Sequence, residues 1–157
     1  MGENRTFEYL LPANAKRIIT PLRLVNAQKK QEMLVNALWD TGAEFSAVGL
    51  DAVAKVDMES LGVVKDVCSI NGKSRAAMLC TIVLPGDDYF ALVTEAVMHE
   101  IGNKDYSFVI GMNIIRKGDF SLTQTNDGLL LRFVFGPKFI QVIKEKGKSI
   151  WNNEANH

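Results

Sequence analysis

Residues 37–45 read "ALWDTGAEF". An apolar run stops on Asp40, which is followed by Thr41 and Gly42. An ionised carboxylate at the end of a buried strand is costly unless it is hydrogen-bonded. Either Asp40 caps a turn, or the fold keeps a carboxylate in a sheltered, hydrogen-bonded place for a purpose. The segments around it decide which.

Working outward, strand-like segments dominate. "RTFEYLL" (5–11), "AKRIIT" (15–20) and "LRLVNAQ" (22–28) are short and turn-bounded. The polar "NAQKKQE" predicts a hairpin into "MLVNALWD" (33–40), and "SAVGLDAVAKVDM" (46–58) is the best candidate for a short helix. "KDVCSI" (65–70) and "AMLCTIVL" (77–84) flank "NGKSRA", a hairpin with an exposed, Gly-containing tip. "YFALVTEAVM" (89–98) is a further strand, and "YSFVIGMNII" (106–115) starts as one and turns at Gly111. "GDFSLTQ" and "GLLLRFVF" flank Asn126-Asp127-Gly128, the strongest hairpin signal in the chain. The tail "KFIQVIKEKG" is read as helical and the last seven residues as frayed. "MLVNALWDTGAEFSAV" and "YSFVIGMNIIRKG" echo one another, as apolar strands that reach a glycine and then turn helical.

The totals fit one domain over 1–157, mainly β, with 47% apolar and 23% charged residues. Eighteen basic residues balance eighteen acidic ones, so no net field draws nucleic acid or an anionic membrane. The N-terminal "MGENRTFEYLLPANAKR" lacks the apolar stretch of a signal peptide, and no run reaches transmembrane length. Met-Gly without the following Ser or Thr argues against myristoylation. The expectation is a cytoplasmic protein without nucleic-acid or membrane partners. No His, Cys and carboxylate cluster has metal-ligand spacing and no Gly-rich phosphate loop occurs, so no cofactor is expected.

For Asp40 the chemistry is specific. One carboxylate can take a proton from water, but peptide hydrolysis also needs an acid for the developing oxyanion or leaving nitrogen. Two carboxylates about 3 Å apart supply both, because they share one proton. Thr41 adds a hydroxyl, and Gly42 lets the backbone approach the carboxylate and donate to it. The chain holds a single Asp-Thr-Gly, so the second carboxylate must come from a second chain.

"ALWDTGA" (37–43) resembles the active-site loop of the retropepsin-like aspartic proteases, the single-domain homodimeric class that includes retroviral proteases. "VIGMNII" (109–115) is similar to that family's second motif, apolar-apolar-Gly-X-Asn/Asp-apolar-apolar, and "GDFSL" (118–122) follows it. The resemblance spans about 20–136 and leaves 137–157 as an extension of unknown role. It implies an acid-protease-like closed β-barrel with one or two short helices. It also implies an aspartic endopeptidase acting on protein or peptide substrates as a homodimer. Asp40 takes the place of the catalytic aspartate, Thr41 of the threonine bonded across the dimer axis, and Gly42 of the glycine whose amide faces the carboxylate. Ala43, Glu44, Ile70, Asn71, Gly72 and Ile110 fall at substrate-binding positions, with "CSINGKSRAAMLC" (68–80) in the place of the flap. Glu44 replaces an Asp that contacts the peptide backbone in retroviral enzymes, and the flap tip has one glycine with Lys73 and Arg75.

The remaining candidates have plainer readings. Asp119 follows Gly118 before a strand and reads as a turn residue; Glu44 reads as a solvated carboxylate in preference to a peptide contact. His99 lies in polar "HEIGNKD", His157 is terminal, and Cys80 has no visible histidine partner. Trp39 reads as packing, not as a substrate platform. Cys68 and Cys80 are equidistant from Ser74, so a cross-strand disulfide is geometrically conceivable beside two reduced thiols. The competing functional reading is a non-catalytic dimerisation or peptide-binding module that keeps the loop for structure.

Overall fold

The computed structural model describes residues 4–26, 29–57, 63–70, 73–85, 89–136 and 141–143. In chain order the elements are β1 (Arg5–Leu11), β2 (Ile19–Asn26), β3 (Gln31–Trp39), β4 (Ser46–Gly49), α1 (Leu50–Lys55), β5 (Val63–Ile70) and β6 (Lys73–Leu84). Then follow β7 (Tyr89–His99), β8 (Phe108–Ile110), α2 (Met112–Ile115), β9 (Gly118–Thr125), β10 (Gly128–Phe135) and β11 (Gln141–Ile143). One sheet runs β11-β7-β4-β8-β3-β2-β6-β5, and pairing of β6 with β7 closes six of its strands into a barrel. A second sheet, β1-β10-β9, packs on the barrel. The expected closed β-barrel with two short helices is what forms.

Alternation builds the core. On β6, Met78, Cys80, Ile82 and Leu84 are buried, and on β3, Val35, Ala37 and Trp39 are, as period-2 strands with one inward face require. Sheet β1-β10-β9 contributes Phe7, Leu131, Phe133 and Phe135 to the same cluster. Trp39 joins the two layers. Its ring stacks on Phe7 at 6.0 Å and meets Phe133 edge-on at 5.4 Å, while Nε1 donates to Thr20 Oγ1 at 2.9 Å. Such aromatic pairs add about 1 kcal/mol each beyond burial. The residue before Asp40 is therefore an anchor, and the strand end that carries Asp40 is fixed in the interior.

Where the elements differ from the sequence reading, the reasons are local. β2 is one strand through Pro21, where it pairs only with β3; its pairing with β6 is confined to Arg23–Val25, so the missing proline donor is tolerated as at an edge. Residues 46–49 form strand β4, not a helix start: β4 is wedged between β7 and β8, and tertiary pairing overrides the Ala-rich local preference. In the tail, Gln141–Ile143 is a strand on β7; the rest of the predicted helix lies outside the described residues. The Asn126-Asp127 turn forms as expected, with Thr125 opposite Gly128. Gly128 has φ +146°, and a Cβ there would lie 2.3 Å from the Leu11 carbonyl oxygen, so only glycine fits.

The β5–β6 hairpin corrects the cysteine geometry. Ile70 pairs with Lys73 and Ser69 with Ser74, and the register shifts between Val67 and Ser69. With Val67 paired to Arg75 and Ser69 to Ser74, Cys68 lies beside Ser74 and Arg75, not opposite Cys80. Cys80 is a free, buried thiol, and burial pushes it up from 9.0 to about 12. It stays protonated at neutral pH, which removes it as a nucleophile.

Candidate active site

The loop from Asp40 to Phe45 connects β3 to β4, and every anchor comes from the segment around Gly111. β3 and β8 run parallel, with Trp39 opposite Ile110. The Asp40 amide donates to the Ile110 carbonyl at 2.9 Å, and the Met112 and Asn113 amides donate to the Ala43 and Glu44 carbonyls at 2.7 and 3.2 Å. Within the loop, the Ala43 amide donates to the Asp40 carbonyl at 3.2 Å. The Gly42 amide donates to Asp40 Oδ1 at 2.9 Å. Asp40 therefore has its carboxylate held by the backbone two residues on, an arrangement that Asp in a turn favours.

A polar network beneath the loop fixes its far end. Asn113 Oδ1 accepts from the Ser46 amide and from Ser46 Oγ, both at 2.8 Å. Ser46 Oγ in turn accepts from the Gly111 amide at 3.0 Å. Asn113 Nδ2 donates to Thr94 Oγ1 at 3.2 Å and to the Glu95 carbonyl at 2.9 Å. Ser46 and Thr94 are buried, and a buried network of this kind is rigid only when each member is satisfied. Gly111 completes the seat, because a Cβ there would come within 2.6 Å of the Phe45 carbonyl carbon and oxygen and 2.9 Å of the Ser46 nitrogen. Two backbones touch at this point.

Exposure follows from these anchors. Thr41, Gly42 and Glu44 are exposed, and Asp40 and Ala43 are half-buried. Of the residues expected to contact substrate, Ala43 and Glu44 sit on this loop. Ile70 ends β5; Asn71 and Gly72 lie outside the described residues. Ile110 differs from expectation: its side chain is fully buried in the core, and its contribution to the site is the carbonyl that accepts the Asp40 amide.

The opposite face of the same strands is what the sequence reading missed. Val109 is half-buried between the buried Phe108 and Ile110. It pairs with Leu38 on β3 and Ala47 on β4, and Ala47 pairs with Val97 on β7. Register partners share a face, so half-buried Leu38, Ala47 and Val109 form an apolar surface beside the loop, continued by the buried Val97. Phe45 packs there against Ala77 and Val97. The signal was alternation, hidden because 46–49 looked helical.

Asp119 is the second residue of β9, exposed and paired with Val134, a strand residue and not the turn residue the sequence suggested. Among the described residues, no group of three or more His, Cys, Asp or Glu is placed to hold a metal ion. No described helix is long and apolar enough to cross a membrane.

Comparison with solved structures places this geometry. A retropepsin-like aspartic protease from Rickettsia conorii superposes with a TM-score of 0.55 at 14% identity, over 87% of this chain and 98% of that one. The fold is retropepsin-like. The retroviral protease-like domain of Ddi1 from Leishmania major is also similar, with a TM-score of 0.49 and 11% identity, covering 86% of this chain and 100% of that domain. No protein-family model matches the sequence, and no curated protein matches it.

Proposed function

We propose that this protein is an aspartic endopeptidase. It hydrolyses peptide bonds with a water activated by two Asp40 carboxylates, one from each subunit of a homodimer. The observation that carries the reading is the position of Asp40 within a retropepsin-like fold. Its carboxylate lies on an exposed Asp-Thr-Gly loop, bonded by the Gly42 amide, at the end of a strand anchored in the core. Thr41 and Gly42 are the exposed part of that loop, suited to meeting the same loop of a second copy about a twofold axis.

The roles follow from chemistry. One carboxylate of the pair takes a proton from water as it attacks the scissile carbonyl, and the other, protonated, donates to the oxygen that becomes charged. The Gly42 amide holds Asp40 in orientation. The apolar surface of Leu38, Ala47 and Val109 beside the loop suits apolar side chains of an extended peptide.

A monomer offers one carboxylate, so activity should depend on association. With a quenched fluorescent peptide library as substrate, specific activity is expected to rise with protein concentration and to level off as the dimer saturates. Association followed in parallel by sedimentation should give the same midpoint. Specific activity that stays constant while the protein passes from monomer to dimer would contradict the shared site.

A further inference from the structure

A cavity lies away from the Asp40 loop. β4 leaves the loop at Ser46 and ends at Gly49, while β8 runs antiparallel beside it from Phe108 towards Gly111. At the remote ends of these strands, about 10 Å from the loop at the usual rise per residue, a cavity of about 540 Å³ opens between the start of α1 and the 100–107 segment. That size is within the range of small-molecule and side-chain sites.

Its walls combine three kinds of chemistry. Leu50, which is 48% exposed, and half-buried Ile101 give apolar surface; half-buried Tyr106 gives an aromatic ring. Asp51 and Glu100 give exposed carboxylates against a single ammonium, Lys104. The next acid along, Asp105, is bonded to Arg17 at 2.5 Å and is not open to a ligand in the same way. The frame is fixed: the Gly49 amide donates to the Ser107 carbonyl at 2.8 Å, and the Ser107 amide donates to the Asn36 carbonyl at 2.9 Å.

We infer that this cavity binds an arginine side chain presented by a peptide segment. The apolar stem of arginine suits Leu50 and Ile101. Its planar guanidinium suits both a ring face and carboxylates, a combination that lysine's point charge matches less well. Two carboxylates against one ammonium leave the wall negative, so charge favours a cation. The site is separate from the Asp40 loop and does not require that the protein cleave what it binds.

The test uses full-length Asp40→Asn protein, which cannot consume the probe, and a fluorescein-labelled Gly-Ser-Leu-Arg-Leu-Ser-Gly peptide followed by anisotropy. The same peptide with lysine, citrulline or glutamate in place of arginine provides the comparison. Arginine should bind tightest, lysine less well, and neutral citrulline at least about tenfold more weakly, since charge-assisted hydrogen bonds are worth that much. Asp51→Asn with Glu100→Gln should weaken the arginine peptide about tenfold and flatten its salt dependence. Lys104→Ala should tighten it, and Tyr106→Leu should weaken it more than Tyr106→Phe. All these side chains are at least partly exposed, so unchanged thermal midpoints confirm folding. Equal binding of arginine and citrulline peptides, or an arginine affinity unmoved by the charge substitutions, would overturn the inference. Either result leaves the Asp40 chemistry to its own test, just as an inactive wild type leaves this binding measurement intact.

Discussion

Asp40→Asn chains are expected to hydrolyse peptide bonds at least about 10³-fold more slowly than wild type, with little change in thermal midpoint. The rate falls because a carboxamide cannot share a proton with its partner, and general acid–base catalysis supplies about 10²–10⁴ in rate for one positioned group. Residues that act as a unit lose more than such single figures suggest. The fold survives because the bond that holds the side chain, from the Gly42 amide to Oδ1, needs only an acceptor oxygen. The other anchors of the loop are backbone groups or belong to Ser46 and Asn113. Cleavage kinetics alongside a thermal melt check both halves. A fully active Asp40→Asn protein would end the aspartic protease reading.

Gly111→Ala should produce a large loss of stability. An added Cβ meets carbonyl and amide backbone atoms of Phe45 and Ser46 at 2.6–2.9 Å, and backbone cannot move aside as a side-chain tip can. Separating the two segments also stretches the buried bond from the Gly111 amide to Ser46 Oγ. Overpacking of this kind costs about 1–3 kcal/mol, and the strained hydrogen bond adds about 1 kcal/mol. The expected result in urea is an unfolding free energy lowered by about 3 kcal/mol, read as a lower midpoint at unchanged slope. Because the same contact seats the Asp40 loop, catalysis should fall further than the folded fraction does, since misplacement by about 1 Å is enough to cost about 10² in rate. Gly102→Ala is the control. Nothing lies within 4 Å of its added Cβ, so its effect should stay within about 0.5 kcal/mol. Wild-type stability in Gly111→Ala would refute the seat.

Much of this was legible in the sequence, for identifiable reasons. β1, β9 and β10 announce themselves through turn residues: Asn126-Asp127-Gly128 fixes the register of one hairpin, and Arg5–Leu11 is bounded by Pro12. Of the two echoing segments only the second turns helical at once, since β4 follows the first, although β3 and β8 lie side by side and bring the segments around Gly42 and Gly111 together. What could not be read depends on partners distant in the chain. β4 is a strand because β7 and β8 flank it, although its own four residues are compatible with a helix. The pairing of β5 with β6 shifts register between Val67 and Ser69, an irregularity that no residue type announces. For the site, the central triplet was visible, as was Gly111. The Ser46–Asn113–Thr94 network was not, because polar residues that satisfy one another across nineteen and sixty-seven positions look like surface residues in a linear reading. Ile110 was expected at substrate only through the family resemblance, and the residues themselves could not correct this, since Val109 and Ile110 are equally apolar and only the packing shows that Ile110 is the buried one.

The central claim is that catalysis needs one Asp40 from each of two chains, and subunit mixing tests it most directly. Wild type at fixed concentration is combined with increasing Asp40→Asn protein, exchange is verified by energy transfer between labelled subunits, and peptide cleavage is measured. Heterodimers hold one intact acid, so the rate should fall as wild-type subunits are drawn into them, approaching zero in excess mutant. A rate that stays at its starting value after demonstrated exchange would contradict the shared site.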